Sequence, residues 1–374
     1  MATDVLELAQ ALIRLDTINP PGNEAQATDL LGERLEAAGF DVQAHGFGDG
    51  RANLVARLPG GGDGAPLCLT GHVDTVPLGL AEWTRDAHAA EVDGDRLYGR
   101  GASDMKGGVA AFVVAAERVA ALGRGERGLE LLILAGEETG CDGARALTEI
   151  PDALGRAGAV LVAEPTSNFP YLAHKGALWL RATATGRTAH GSMPHLGENA
   201  IYKLARAIGL LEQFEFGAAP HELLGEPTLS VGTVTGGINI NSVPDRASAG
   251  IDIRTVPGMT SDEVLTRLGE VLGDEIALER VIDVPAVATA GDDPWAREVF
   301  EVMAPLIDEA PEPRGINYFT DASVLTPAYG GPPTVVCGPG EPGQAHGTDE
   351  WCSVERLEAS AEGIFEVARR WCRL

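Results

Sequence analysis

The chain has few basic residues and no basic run. Its 374 residues include 28 Lys and Arg against 55 Asp and Glu, which gives a formal net charge of −27. A surface of this sign repels phosphate backbones, so nucleic acid is not an expected partner. Most of the acids should be ordinary solvated surface groups, and only the positions of particular carboxylates can indicate chemistry.

The sequence also lacks paired cysteines and long apolar runs. Its five cysteines are scattered without a C-x-x-C pair, which excludes the patterns of a disulfide framework and of a thiolate zinc site. No apolar run approaches the roughly 20 residues of a membrane span. Near the start, Asp4 stands where a secretory signal would carry positive charge. We therefore expect a cytoplasmic protein with no membrane partner.

Length and periodicity predict two domains, because 374 residues exceed the usual size of a single core. Over residues 1–176, short apolar runs alternate with helical segments, which indicates an α/β fold with a central, mostly parallel sheet between helices. Strands and helices at 177–289 are typical of a self-contained, inserted α+β unit. The α/β pattern resumes at 290–374. The first and last segments therefore belong to one domain.

Histidines and acids follow the ends of the predicted strands. His72 follows the apolar run 67–70, Glu137 and Glu138 follow 129–135, and Glu164 follows 159–163. In open α/β sheets, ligands bind at the carboxyl ends of the strands. Two further segments carry Asp104, before a predicted helix at 105–122, and His346, after a predicted strand at 334–336.

Each of these signals is weak when it is taken alone. An H-x-D pair occurs by chance, and an isolated Asp before a helix is more often an N-cap. Adjacent carboxylates such as Glu137 and Glu138 repel each other unless a cation or a shared proton compensates. Taken together, imidazole and carboxylate ligands without a thiolate suit catalytic zinc, cobalt or manganese.

Five segments resemble the signature of the dinuclear zinc metallopeptidase family, which includes acetylornithine deacetylase, succinyl-diaminopimelate desuccinylase, aminoacylases and glutamate carboxypeptidases. They are GHVDTVP at 71–77, GRGASDMKG at 99–107, the Glu pair at 137–138, EPT at 164–166, and His346. The resemblance implies a catalytic domain at 1–176 and 290–374 and a ferredoxin-like lid or dimerisation domain at 177–289. It also implies two divalent metal ions, zinc or alternatively cobalt.

The resemblance assigns a role to each residue of the expected centre. His72 and Glu164 would be terminal ligands of one metal, and Glu138 and His346 those of the other. Asp104 would bridge the two ions. Asp74 would orient His72, and Glu137 would be the general base that passes a proton to the departing amine.

Four further positions resemble substrate-site residues of the family. His190, in the segment TAHGS at 188–192, would reach the active site of a partner subunit and bind the oxyanion, although on its own residues it also fits a turn. Asn241 and Arg254 match positions that hold a substrate carboxylate, and Arg suits that group through bidentate hydrogen bonding. Arg254 also fits a surface ion pair. Thr320 lies near the expected substrate end.

Within the family, three segments favour a resemblance to acetylornithine deacetylase. They are residues 83–86, 254–260 and 317–322. The resemblance implies a homodimer, formed through the lid, that removes the acyl group from an N-acyl amino acid. A desuccinylase and a dipeptidase or carboxypeptidase acting on short peptides are the alternatives within the family. A catalytically silent metal-bound binding protein is the alternative from another class, but it would lack the base or the bridge.

A dinucleotide-binding fold is the third alternative, suggested by Gly99 and Gly101 before a helix. It fails because Asp104 occupies the place of the third glycine, where an acid would repel a pyrophosphate.

Overall fold

The computed structural model describes residues 2–307 and 309–374, so Met1 and Asp308, which fall in the predicted first and last segments, lie outside the described residues. The chain divides into two units. The first unit runs to Ala173 and takes in Ala288–Gly315 and Thr320–Leu374. The second unit consists of His174–Val287 and Ile316–Phe319.

The helices and strands are numbered in chain order over the described residues. The helices are α1 (Ala2–Ile13), α2 (Ala25–Ala37), α3 (Gly107–Ala121), α4 (Asp142–Thr148), α5 (Ala200–Leu211), α6 (Ser261–Leu272), α7 (Pro294–Met303), α8 (Ala322–Ala328) and α9 (Val354–Cys372). The strands are β1 (Asp41–Gly48), β2 (Arg51–Leu58), β3 (Leu67–His72), β4 (Val92–Asp93), β5 (Arg96–Tyr98), β6 (Leu129–Leu134), β7 (Ala159–Pro165), β8 (Ala173–His174), β9 (Gly176–Thr185), β10 (Thr228–Gly236), β11 (Arg246–Thr255), β12 (Ile276–Val284), β13 (Val287–Ala288), β14 (Gly315–Ile316), β15 (Thr334–Gly338) and β16 (Trp351–Ser353).

A six-stranded sheet in the order β1-β2-β6-β3-β7-β15 forms the centre of the first unit. The strands β6, β3, β7 and β15 are parallel neighbours, whereas β1 and β2 are antiparallel. Every residue of the four parallel strands is buried, as expected for a sheet covered on both faces. The predicted α/β class is confirmed. The periodicity missed β1, an edge strand with no buried residue.

The small-residue helix α3 packs against the sheet and against helices α1 and α9. A Cβ at Gly108 would collide with the carbonyl oxygen of Ala163. Only glycine therefore lets the first turn of α3 approach the end of β7, the strand that carries Glu164. This close approach brings the segment before α3 to the carboxyl edge of the sheet.

The second unit follows the order β9-α5-β10-β11-α6-β12, and its antiparallel sheet has the strand order β10-β11-β9-β12. This connection and order are ferredoxin-like. Both helices have capped starts: the side chain of Asn199 accepts the N–H of Tyr202, and Thr260 forms a capping box with Glu263. The predicted domain limits at 177–289 stay a prediction.

Two predicted helix limits are wrong. Helix α3 begins at Gly107 rather than at residue 105, because the segment Ala102–Lys106 forms a separate irregular turn with non-helical backbone at Asp104. The helix predicted at 295–307 ends at Met303, and a short turn at Ala304–Leu306 follows. Pro305 explains that end, because it has no N–H for the helical ladder. Within the described residues, no helix is long and apolar enough to cross a membrane.

Candidate metal centre

The parallel sheet brings three of the sequence-predicted segments together. Because β3 lies between β6 and β7, His72 at the end of β3 lies between the loop after β6 and the end of β7. The imidazole Nε2 of His72 is 3.7 Å from Glu164 Oε1 and 3.9 Å from Glu137 Oε2. The three side chains therefore lie close together, as expected from their positions after the strands. Their roles stay predictions.

Asp104 lies between the two predicted histidine ligands. Its Oδ1 is 3.3 Å from His72 Nε2, and its Oδ2 is 3.4 Å from His346 Nε2. The two oxygens of one carboxylate thus face different imidazoles. This is the arrangement expected of a carboxylate that bridges two ligand sets.

His346 and Glu138 form the other side of the centre. Their Nε2 and Oε2 atoms are 3.0 Å apart. The second oxygen of Glu138, Oε1, is buried and has no hydrogen-bond partner. The side chain of His346 is 56% exposed, whereas that of His72 is 1% exposed. The centre is therefore open to solvent on the His346 side.

Asp74 organises more of the centre than the sequence analysis expected. His72 Nδ1 lies 3.4 Å from Asp74 Oδ1 and 3.0 Å from the main-chain oxygen of Asp74. The carboxylate also accepts the main-chain N–H groups of Glu137, at 3.2 Å, and Glu138, at 3.3 Å. The side-chain amide of Asn19 donates to it at 3.0 Å. One buried carboxylate thus fixes both a histidine and the Glu pair.

The ionisation of the centre reflects crowded, buried charge. Burial raises the pKa of Glu137 and Glu164 well above the usual value for Glu, against the opposing effect of His72. Burial likewise raises the pKa of Glu138, and the carboxylate of Asp104 adds to the shift. Burial alone would lower the pKa of His72, but its contacts with Asp104 and Asp74 raise that pKa well above the usual range.

These side chains fit a divalent metal. Candidate ligand atoms of His72, Glu137 and Glu164 lie within 4.8 Å of one another, as do those of His72, Asp104 and Glu138. The buried Oε1 of Glu138 has no hydrogen-bond partner, and several buried carboxylates crowd together around His72, so a cation would offset their mutual repulsion. Glu137 also lies within ligand reach, so distance alone does not separate a base from a ligand.

Three functional candidates were not assigned from the sequence. Asn19, in the segment NPPG at 19–22, reaches Asp74 and also Thr139 Oγ1 at 3.2 Å. Asp321 is buried, and burial together with Asp74 and Asp142 raises its pKa to about 7 against the effect of His72. Glu350 accepts hydrogen bonds from the Asp104 segment. Three features of the sequence could have indicated these residues. Asn19 directly precedes Pro-Pro-Gly, Asp321 directly follows Thr320, and Glu350 follows His346 by four positions.

Thr320 lies in the first unit, whereas His190 and Asn241, also predicted for the substrate site, lie in the second. Thr320, in the first unit, is fully buried, and its Oγ1 accepts the N–H of Ala322 at the start of α8. In the second unit, exposed His190 contacts the hydroxyl of Ser192 at 2.8 Å. The next residue, Gly191, donates its N–H to the main-chain oxygen of Asn241 at 2.7 Å. The substrate contacts of these side chains stay predictions.

Arg254, also in the second unit, contacts a neighbouring acid. Its Nε is 2.9 Å from Asp252 Oδ1, and its guanidinium lies 5.8 Å from the ring centre of Phe319. The ion pair left open by the sequence analysis is therefore present. Its side chain keeps 24% exposure, so part of it is accessible from solvent.

Imidazoles and carboxylates at the carboxyl edge of a parallel α/β sheet are a donor set typical of a catalytic metal site. The chain belongs to Peptidase family M20/M25/M40, whose family model matches residues 68–370. The predicted hydrolase class and family are confirmed.

Similar proteins match over nearly the whole chain. An acetylornithine deacetylase from Vibrio cholerae serotype O1 is 30% identical over 98% of both chains. A probable succinyl-diaminopimelate desuccinylase from Staphylococcus epidermidis is 31% identical over 93% of both. The solved M20 family metallo-carboxypeptidase of Sulfolobus solfataricus has a TM-score of 0.82 and 19% identity, and the match covers 99% of this chain and 100% of that one. The last likeness concerns the fold alone.

Proposed function

We propose that the protein hydrolyses the amide bond of an N-acyl amino acid, with N-acetylornithine as the first candidate substrate. The observation that carries the proposal is the position of Asp104, whose two oxygens face His72 and His346. The full-length similarity to an acetylornithine deacetylase supports this choice of substrate. A cytoplasmic location is part of the same proposal.

Two divalent metal ions, zinc or alternatively cobalt, complete the proposed centre. His72 and Glu164 would hold one ion, Glu138 and His346 would hold the other, and Asp104 would be the carboxylate shared between them. When bound, such ions acidify water, polarise the amide carbonyl and stabilise negative charge on its oxygen. The donor set of imidazoles and carboxylates without a thiolate supports a catalytic rather than a structural metal site.

The proposed proton carrier is Glu137, through Oε2. Its carboxylate lies beside the proposed ligands, with Oε2 3.9 Å from His72 Nε2, where it can take a proton from water and later give it to the departing amine nitrogen. Asp74 holds the main-chain N–H of Glu137 and the ring of His72. The base and the ligand are therefore oriented by the same carboxylate.

In the second unit, we propose that Arg254 and Asn241 hold the substrate carboxylate. The side chain of Arg254 is partly exposed, and its guanidinium would exchange its Asp252 partner for a carboxylate of the substrate. His190, exposed beside Asn241, is the proposed oxyanion-binding group and acts in the partner subunit of a homodimer. Thr320 is proposed to shape the substrate end from its buried position.

The proposed homodimer forms through the second unit. Strand β10 lies at the edge of the four-stranded sheet, and an unpaired edge is a template for pairing with another chain. Val234 on this strand is 59% exposed, and Ile238 and Ile240 in the following loop are almost fully exposed. Light scattering of the wild type and of Val234→Lys tests the proposal. A monomeric wild type would contradict it.

The second candidate function is desuccinylation, which the 31% identity to the Staphylococcus epidermidis protein favours. A product-release assay compares N-acetylornithine, N-succinyl-diaminopimelate, other N-acyl amino acids and dipeptides. We expect N-acetylornithine to give the highest kcat/KM. A ranking led by dipeptides would indicate a peptidase, and no hydrolysis by metal-loaded protein would indicate a binding protein.

A further inference from the structure

A buried ion pair joins two segments of the metal centre. Arg100 Nη1 lies 2.7 Å from Glu350 Oε2, and the two side chains are 1% and 0% exposed. Arg100 precedes Asp104 by four positions, and Glu350 follows His346 by four. The pair therefore connects the chain around the proposed bridge with the chain around the most exposed proposed ligand.

The carboxylate of Glu350 receives two hydrogen bonds on each oxygen. Oε2 accepts from Arg100 Nη1 and from the main-chain N–H of Gly101, at 3.0 Å. Oε1 accepts from the main-chain N–H groups of Ser103, at 2.8 Å, and Asp104, at 3.0 Å. An ionised carboxylate has about four acceptor positions and no donor. All four are used here.

The main chain from Gly101 to Asp104 curls around this anion. Gly101 has φ 85°, in the left-handed region that favours glycine. The N–H groups of Gly101, Ser103 and Asp104 point to Glu350, whereas that of Ala102 donates to the main-chain oxygen of Gly99. The backbone of Asp104 is consequently fixed by Glu350 through its N–H, while its side chain faces the two histidines.

We propose that Glu350 is a positioning residue of the metal centre, which holds Asp104 in the bridging position and ties it to the His346 segment. The inference rests on the proposed metal-dependent function. Only a carboxylate suits the position. An amide in either orientation would turn its NH₂ group toward two donors and leave them without an acceptor.

The test compares Glu350→Gln with Glu130→Gln in the full-length, metal-loaded protein. Glu130 is a matched control, because it is 1% exposed and pairs with Arg57 Nε at 2.6 Å in the same unit. It stands near the beginning of β6 and not at the carboxyl edge that carries the centre. Each protein is equilibrated at graded free zinc, set with a chelator, and its zinc content per chain is measured.

We expect Glu350→Gln to require at least about tenfold more free zinc to retain one of its two ions, the range typical of lost supporting contacts to ligands. Glu130→Gln should lose thermal stability but keep zinc affinities within about twofold of the wild type. Cobalt-loaded Glu350→Gln should also show an altered visible absorption spectrum. Equal zinc affinities in Glu350→Gln and Glu130→Gln would overturn the inference.

If Glu350→Gln does not fold, Glu350→Asp tests the positioning role. This variant keeps the charge and shortens the side chain by one methylene, which moves the carboxylate away from its donors. A tenfold loss of zinc affinity is again expected, and wild-type affinity would overturn the positioning role. A wild-type protein that binds neither zinc nor cobalt would overturn the proposed function itself. If the wild type binds two zinc ions and the Glu350 variant binds zinc with the same affinity, only the positioning role of Glu350 is overturned.

Discussion

The carboxylate of Asp74 accepts the main-chain N–H of Glu137 at 3.2 Å. The same group lies against the ring of His72 and accepts the N–H of Glu138. The proposed base, a proposed ligand and the residue that orients them therefore share one buried hydrogen-bond network. Loss of this one acceptor would leave several buried donors unpaired, which is costly in a low-dielectric interior.

Replacement of Asp74 by Asn should lower kcat by about 10- to 100-fold, because the amide turns a donor toward N–H groups that need an acceptor. Asn19→Ala is the control, since it removes one donor and leaves the contacts with Glu137 and Glu138 in place. Steady-state kinetics on the best substrate measures both. A wild-type kcat in Asp74→Asn would contradict this role.

Glu137→Ala should retain close to two zinc ions per chain while turnover falls by several orders of magnitude, because the proton carrier is lost and the ligands are kept. Elemental analysis and single-turnover kinetics on the same sample check both points. Glu138→Ala is the comparison and should lose zinc. Loss of metal in Glu137→Ala would show that Glu137 is a ligand, which its distance from His72 also allows.

Removal of metal with EDTA should abolish hydrolysis, and addition of zinc or cobalt should restore it. The measurement is the initial rate before chelation, after removal of the chelator, and after each metal is returned. Magnesium is the control, since a centre with two imidazole ligands suits it poorly. Full activity in thoroughly demetallated protein would contradict the proposed centre.

Zinc affinity should increase between about pH 6 and pH 8. Contacts with Asp104 and Glu138 raise the pKa of His346 to about 10 in the metal-free protein, so the imidazole carries a proton that must leave before it can bind a metal. A higher pH removes this proton, which competes with the metal for the imidazole nitrogen. Calorimetry in two buffers of different ionisation enthalpy should show proton release, and an affinity independent of pH would contradict it.

Arg254→Ala should raise KM for substrates with a free α-carboxylate and leave carboxylate-free amides nearly unchanged. The loss follows from the bidentate contact that the guanidinium would make. Arg181→Ala is the matched control, because Arg181 forms an ion pair with Glu279 in the same sheet. An equal effect on both substrate classes would count against carboxylate recognition by Arg254.

The sequence by itself determined the α/β class and the residue types at the strand ends. Short buried strands show as apolar runs, and parallel strands bring their carboxyl ends to one edge, so His72, Glu137 and Glu164 were predictable as neighbours. It did not reveal β1, because the apolar signal is absent from an exposed edge strand. It placed the start of α3 too early, because local propensity does not register the turn before it.

Only the tertiary structure decided how the acids act together. The main-chain N–H of Asp104 donates to Glu350, which lies 246 positions away in the sequence. The main-chain N–H of Glu137 donates to Asp74, which lies 63 positions away. No local pattern encodes such contacts, because they depend on which segments packing brings together. The sequence thus indicated the candidate ligands of the centre, and only the fold showed the contacts that orient them.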